Sequence, residues 1–214
     1  MGIAERRLHE RQERARRILE AALLVFAREG LRPATMEAIA AEAQLGKGTI
    51  YYYYPSKEAL LGSLITAMAE EYFRGLLEGA ADQTTPVAIA TGVSRALLAH
   101  YKRQPELFRV IHMVLGEPEP RPRTAVTAFT TAHLGWLRQL EAAISGTLGV
   151  HRVPIRPFIT LLGTYSHGLL FEVVAGRQPD RLLAEATTTF RALLSPPPQK
   201  ASTGLKDQKN IQEG

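Results

Sequence analysis

With 214 residues, 45% hydrophobic and 22% charged, the chain has the composition of one large or two small globular domains, not of a disordered protein. It holds no cysteine, which excludes disulfides, thiolate metal sites and cysteine nucleophiles and suits a reducing compartment. The formal net charge of +5 is compatible with a nucleic-acid partner but too mild to establish one, and the preference for Arg (20 of 26 cations) suits phosphate or simply a GC-rich genome.

From the N-terminus, MGIAERRLHERQERARR has no apolar core of a secretory signal. Residues 6–28 then place Ile18, Ala22, Val25 and Phe26 on one side of a helix with charge opposite. Gly30 stops it, and Pro33 sits in the connection. Thr35 caps a short helix over about 36–43, with Glu37 in its first turn. Gly46 and Gly48 introduce a third helix through the run Tyr51, Tyr52, Tyr53, Tyr54, and Ser56 caps a fourth running to about Gly79. After a break over 79–86, helices are predicted over about 87–103, 105–115, 124–148, 156–175 and 179–194. The most apolar stretch, 161–174, carries His167 and Glu172 and is too short to span a bilayer, so no membrane association and a cytoplasmic location are expected. The three prolines in 116–123 predict an extended or mobile linker, and the polar tail after Ser195 predicts disorder. No repeat and no strand pattern is found; the expectation is an all-α chain of about nine helices.

Residues 35–54 carry the most information. Two short helices crossing steeply need small or apolar residues at fixed offsets. Ile39 and Ala40 face inward, Ala43 is small at the crossing, Leu45 packs in the turn, and Ile50 and Tyr53 follow five and eight residues later. Any αα-hairpin satisfies two or three of these positions; all six favour a helix-turn-helix. Lys47 is placed to reach base edges or phosphate, and Thr49 to donate a hydrogen bond or touch a thymine methyl. The tyrosines read both as a partly buried aromatic patch and as phosphate contacts, with Tyr54 expected inside against Phe26 and Tyr51 and Tyr52 outward.

Three blocks then resemble a known family: LLVFAREG at 23–30, TMEAIA at 35–40 and GKGTIYYYY at 46–54, followed by SKEALL at 56–61. Together they look like the signature of TetR-family transcriptional regulators, over about residues 14–62. The resemblance implies a homodimer that binds a palindromic operator on double-stranded DNA and leaves it when a small molecule enters a C-terminal domain. It implies a helix-turn-helix DNA-binding domain over 1–56, a connecting helix over 57–80, a ligand-binding and dimerisation bundle over 81–195, and a tail over 196–214. Carried over residue by residue, Thr35 and Lys57 resemble phosphate contacts, Lys47, Gly48 and Thr49 approach bases, and Tyr51, Tyr52 and Tyr53 touch bases or phosphates. Gln44 stands in the turn where glycine is common, so that turn is expected to be strained or reshaped. Glu37 sits where some members read a base with a cation; facing water is preferred over accepting from cytosine.

Charge does not mark the DNA half, since residues 1–60 hold ten Lys+Arg against eight Asp+Glu. Arg6, Arg7, Arg11, Arg14, Arg16 and Arg17 alternate with Glu5, Glu10 and Glu13, and are read equally as solvated ion pairs and as one or two backbone contacts.

In the C-terminal half, Phe129, His133, Trp136 and Leu140 form one stripe, and inward stripes also hold His100, Tyr101 and Tyr165. Singly these are ordinary core residues; together they suggest an apolar effector pocket with a few polar tips, with Arg109 and His112 as further candidates. The scattered histidines lack metal-ligand spacing, and no nucleophile elbow, phosphate loop or acidic pair is present, so no metal, cofactor or catalytic residue is expected. The resemblance implies dimerisation through the last two long helices; their second apolar faces, Leu161, Gly168 and Phe171 on one and Leu183, Ala186, Phe190 and Leu194 on the other, call for a second partner, another subunit being one choice. The effector is expected to be an acidic lipophile such as a fatty acid or acyl-CoA, ahead of an aromatic or cationic drug-like compound. The alternatives are a helix-turn-helix protein whose C-terminal half binds a protein or only dimerises, and an all-helical enzyme.

Overall fold

A computed structural model describes residues 2–116 and 122–195. Among them the chain forms nine α-helices and no strand: α1 (Ile3–Glu29), α2 (Met36–Glu42), α3 (Lys47–Tyr53), α4 (Lys57–Ala80), α5 (Pro86–Arg103), α6 (Pro105–Gly116), α7 (Arg123–Val150), α8 (Ile155–Val174) and α9 (Pro179–Leu194). The linker expected over 116–123 falls mostly on 117–121, and the expected tail on 196–214; both lie outside the described residues.

Local chemistry sets the helix ends. The Thr35, Ser56 and Thr85 hydroxyls accept hydrogen bonds from the amides of Ala38, Ala59 and Ala88 at 3.0–3.1 Å, each satisfying an orphan N–H of a first turn. Pro86 and Pro179 sit in the first turns of α5 and α9, where a missing N–H costs nothing. Gly30 ends α1 at φ +90°, a region that side chains avoid. The turn after α2 does the same with Gln44 at φ +55°. There Leu45 N–H donates to Ala40 O at 2.9 Å and Gln44 N–H to Ala41 O at 3.1 Å, the paired bonds of a Schellman cap. The turn thus keeps the glycine-type geometry with a side chain in it, at some conformational cost.

Helix α4 is the axis of the molecule. Its first half buries Leu60, Leu61, Leu64 and Ile65 in the same core as Ile18, Val25 and Phe26 of α1 and Ile39 and Ile50 of α2 and α3. Helix α4 also packs on α5 and α7. Two small-residue contacts bring these helices close. At Gly79 and Gly92 the α4 and α5 backbones touch: a Cβ on Gly92 would stand 2.0 Å from the Gly79 carbonyl oxygen. At Gly62 a Cβ would stand 2.6 Å from the Thr124 methyl at the start of α7.

Helix α9 departs from expectation. Ala186 and Phe190 are fully buried in their own chain, with Phe190 4.6 Å from the Tyr165 ring, while Leu183 and Leu194 are half-buried. The stripe read as a surface for a second subunit is the face α9 turns to α5, with Phe190 also reaching Tyr165 of α8, since a helix docked on the bundle must spend its most apolar side there. Its exposed side carries Ala184, Thr188, Ala192 and Leu193. On α8, Gly168 and Phe171 are exposed as expected and Leu161 is half-buried, in line with exposed Thr160 and Thr164.

Candidate nucleic-acid interface and effector cavity

The α2–α3 unit has the register expected of it. Ile39, Ala40, Ala43 and Ile50 are buried, and Leu45 and Tyr53 are partly buried against the core. Fixing those inward positions aims the remaining ones outward: Lys47 and Gly48 are exposed, Tyr51 is 40% and Tyr52 73% exposed, and Thr49 is half-buried. Tyr54 packs partly buried against the core, and that burial raises its phenol pKa.

Lys47 is already engaged. Its ammonium pairs with the Glu37 carboxylate and stands 5.8 Å from the centre of the Tyr51 ring. The pair holds the Glu37 carboxyl below its ordinary range and the Lys47 ammonium above its own. Glu37, expected simply to face water, is exposed but paired; the missing information was the angle between α2 and α3. Thr35 uses its hydroxyl oxygen as the α2 cap, leaving its proton to donate outward. Lys57 donates to the carbonyls of Arg32 and Ala34, both at 2.8 Å, so it ties α4 to the α1–α2 loop and keeps one N–H in reserve. Of the α1 arginines, Arg16 bridges Glu13 and Glu20, and Arg17 donates to Ala43 O at 2.9 Å, closing the end of α2. Arg6, Arg7, Arg11 and Arg14 are exposed.

The eight residues expected in a C-terminal pocket separate into groups. Phe129, His133 and Trp136 of α7 line one cavity between α4, α6, α7 and α8. Sequence reasoning missed its other walls: Tyr72, Phe73 and Leu76 of α4, and Ser166, His167 and Leu170 of α8. The adjacent Tyr72 and Phe73 are a visible signal in the sequence, on a helix expected only to connect the two domains. His100 is buried just beyond, its ring against Tyr72 and Phe108 and its Nδ1 3.2 Å from the Arg103 guanidinium, and Tyr101 packs on Phe108. Tyr165 lines a separate groove between α8 and α9. His112 and Arg109 stand apart from the cavity: His112 is exposed against Phe171, and Arg109 is exposed and reaches Ala27 O of α1 at 3.4 Å.

The cavity is aromatic, and in this state it is closed. Phe73 stacks on Trp136 at 5.5 Å, and His133 lies 5.5 Å from His167 and 6.3 Å from Phe129. The space left inside is about that of one water molecule. His133 Nδ1, Trp136 Nε1 and Ser166 Oγ are buried there with no hydrogen-bond partner. Burial, reinforced by His167, pulls the His133 pKa below the usual histidine range. Among the described residues no group of three or more His, Asp or Glu side chains is placed to hold a metal ion, and no helix is long and apolar enough to cross a membrane.

The N-terminal helices match a known family model: residues 18–64 fit that of bacterial regulatory proteins of the tetR family. The same region is 38% identical over 66 residues to the uncharacterized HTH-type transcriptional regulator YuxN of Bacillus subtilis, covering 31% of this chain and 23% of that protein. It is 40% identical over 63 residues to the HTH-type transcriptional repressor KstR of Rhodococcus jostii, covering 29% and 28%. The alignments thus span about a quarter of these relatives' length. The whole fold resembles that of the fatty acid degradation regulator FadR from Bacillus halodurans, with a TM-score of 0.67 at 17% identity over 81% of this chain and 92% of that one. It resembles the transcriptional regulator FadR from Bacillus subtilis, solved in complex with stearoyl-CoA, with a TM-score of 0.67 at 20% identity over 84% and 97%.

Proposed function

Starting from a chain that belongs to the TetR family of transcriptional regulators, we propose that it is a repressor that binds a palindromic operator as a homodimer and is released by a small-molecule effector. The observation that carries this reading is the exposed face of Lys47, Gly48, Tyr51 and Tyr52, held outward by the buried register of Ile39, Ala43 and Ile50. In this reading Thr35, Thr49, Tyr53 and Lys57 complete the DNA contacts, and residues 1–56, 57–80 and 81–195 act as reader, connector and sensor.

Dimerisation uses the exposed sides of α8 and α9. Thr160, Thr164 and Gly168 on one helix and Ala184, Thr188 and Ala192 on the other are small enough for close helix approach, flanked by exposed Phe171 and Leu193. The effector is an acidic lipophile such as a fatty acid or acyl-CoA. The aromatic cavity and the likeness to a fold solved with stearoyl-CoA support this class.

The closed cavity suggests how binding is felt. A ligand enters only if α6, α7 and α8 part from α4. α6 also touches α1 through Arg109, and α7 begins on α4, where Thr124 Oγ1 donates to Glu58 at 2.9 Å beside Gly62. Opening the cavity therefore shifts helices that seat the reader, and ligand and operator select different members of the ensemble.

The test is a gel shift on the DNA upstream of the protein's own gene, challenged with fatty acids and acyl-CoA species. Binding that a lipophile reverses supports the reading; failure to bind that DNA at low salt overturns its autoregulatory form. A second reading, in which the C-terminal helices only dimerise or hold a protein partner, draws on the closed cavity and is favoured by DNA binding that no small molecule reverses.

A further inference from the structure

We propose that the cavity between α4, α6, α7 and α8 takes a lipophile with a free carboxylate, which accepts hydrogen bonds from Trp136 and Ser166 and draws a proton onto His133 as it binds. The inference deepens the effector reading and rests on it.

Three buried polar atoms without partners belong to residues that line this cavity: Trp136 Nε1, Ser166 Oγ and His133 Nδ1, with Trp136 3% and Ser166 6% exposed. Buried polar groups are normally paired, so a cluster of orphans in one cavity points to a missing partner. Its chemistry follows from theirs. The indole nitrogen only donates, the serine hydroxyl donates readily, and a protonated imidazole donates from either nitrogen. A group that only accepts, from several directions at once, answers all three, and a carboxylate is such a group. The rest of the lining, Tyr72, Phe73, Leu76, Ile111, Phe129 and Leu170, is suited to an apolar body.

Charge then decides between protonation states. No Asp, Glu, Lys or Arg lines the cavity among the described residues. A carboxylate in such a site needs a positive partner, and the buried, unpartnered imidazole of His133 is the group placed to become one. Besides His133 and His167, the titratable side chain in the lining is Tyr72 on α4, which burial keeps neutral; His112 on α6 lies outside the cavity, packed on Phe171. Glu70 and Arg74 of α4 line a separate surface pocket against Phe73 and Trp136. In the closed cavity His133 is neutral, because burial and the neighbouring His167 both disfavour its cation. An arriving carboxylate reverses that balance. The complex then binds one proton more than its parts, so affinity rises as pH falls, by up to about tenfold per pH unit. A thioester or ester carbonyl offers the same hydrogen-bond acceptor without the charge and takes up no proton.

The experiment uses the full-length protein and its one tryptophan, which is in the cavity wall. Trp136 emission is followed during titration with dodecanoate, methyl dodecanoate and dodecanoyl-CoA at pH 6.5 and pH 8, with operator release measured in parallel. Dodecanoate is expected to saturate the signal and bind about tenfold tighter at pH 6.5 than at pH 8. The neutral-carbonyl probes are expected to bind more weakly, without pH dependence. His133→Phe is expected to remove the pH dependence, and Ser166→Ala to weaken dodecanoate about tenfold while leaving free-protein emission unchanged. Dodecanoate binding that ignores pH, or a thioester that binds as tightly as the acid, overturns the proposal. Operator release by dodecanoate with Trp136 silent also overturns it, but leaves the effector reading standing. A Trp136 response with no operator release supports the site and sinks the effector reading instead.

Discussion

The Lys47 ammonium is ion-paired with the Glu37 carboxylate across the gap between α2 and α3, beside the ring of Tyr51. Both side chains are exposed, so the pair adds little to stability. Its consequence is for DNA: a cation set to meet phosphate or base edges is partly neutralised before it arrives. Glu37→Gln is expected to tighten operator binding several-fold at low salt and to steepen the slope of log K against log salt by about 0.9 for each lysine freed. Anisotropy titrations at several salt concentrations measure both. Weaker binding by this variant would mean that Glu37 itself accepts from a base.

Gln44 occupies a left-handed position, φ +55°, in the cap between α2 and α3. Both Schellman hydrogen bonds of this turn, from the Gln44 and Leu45 amides, are backbone bonds, so glycine can replace Gln44 without changing the turn. Gln44→Gly is expected to stabilise the protein by about 1 kcal/mol, the left-handed penalty less the entropy that glycine adds to the unfolded chain. Urea unfolding monitored by circular dichroism is the check, with the midpoint moving up.

How the fold was legible is clearest at such caps. Gly30, Thr35 and Ser56 set helix ends through bonds within a few residues, and those ends are readable from local sequence. The inward register of Ile39, Ala43 and Ile50 was readable too, because the crossing of two short helices constrains residue size at fixed spacing. What needed the structure was every choice between equally apolar faces or between distant partners. Which side of α9 meets α5 depends on the groove that α5 and α8 offer, not on α9 alone. The Glu37–Lys47 and Lys57–Ala34 contacts join residues 10 and 23 positions apart across separate helices. The cavity was half legible: the α7 stripe of Phe129, His133 and Trp136 was seen, while its α4 and α8 walls were not.

Gly79 and Gly92 let the backbones of α4 and α5 touch. A methyl group on Gly92 meets the Gly79 carbonyl at 2.0 Å, and backbone cannot rotate away as a side chain can. Gly92→Ala is expected to cost about 3 kcal/mol, the upper end for overpacking. The thermal midpoint should fall by several degrees, whereas Gly48→Ala, where nothing lies within 4 Å, should leave it nearly unchanged.

His100 and His133 both have pKa values pulled below the usual histidine range, by burial first and by Arg103 and His167 respectively. The unfolded chain therefore binds protons that the folded chain refuses. Stability is full above the unfolded value of about 6.5 and is lost as pH falls from there toward the folded values. Melting temperature at low salt is expected to drop between pH 7 and pH 5, and His133→Phe should flatten part of that drop. A melting temperature that rises over the same interval would mean that these histidines are charged in the folded state.

The central claim is that the Lys47–Tyr52 face reads operator DNA, and the dependence of binding on salt tests it most directly. A dimer that neutralises about eight phosphates gives a slope of log K against log salt near −7, and Lys47→Ala should make that slope shallower while Tyr51→Ala weakens binding at every salt concentration. A slope near zero, or binding indifferent to both substitutions, would contradict the account.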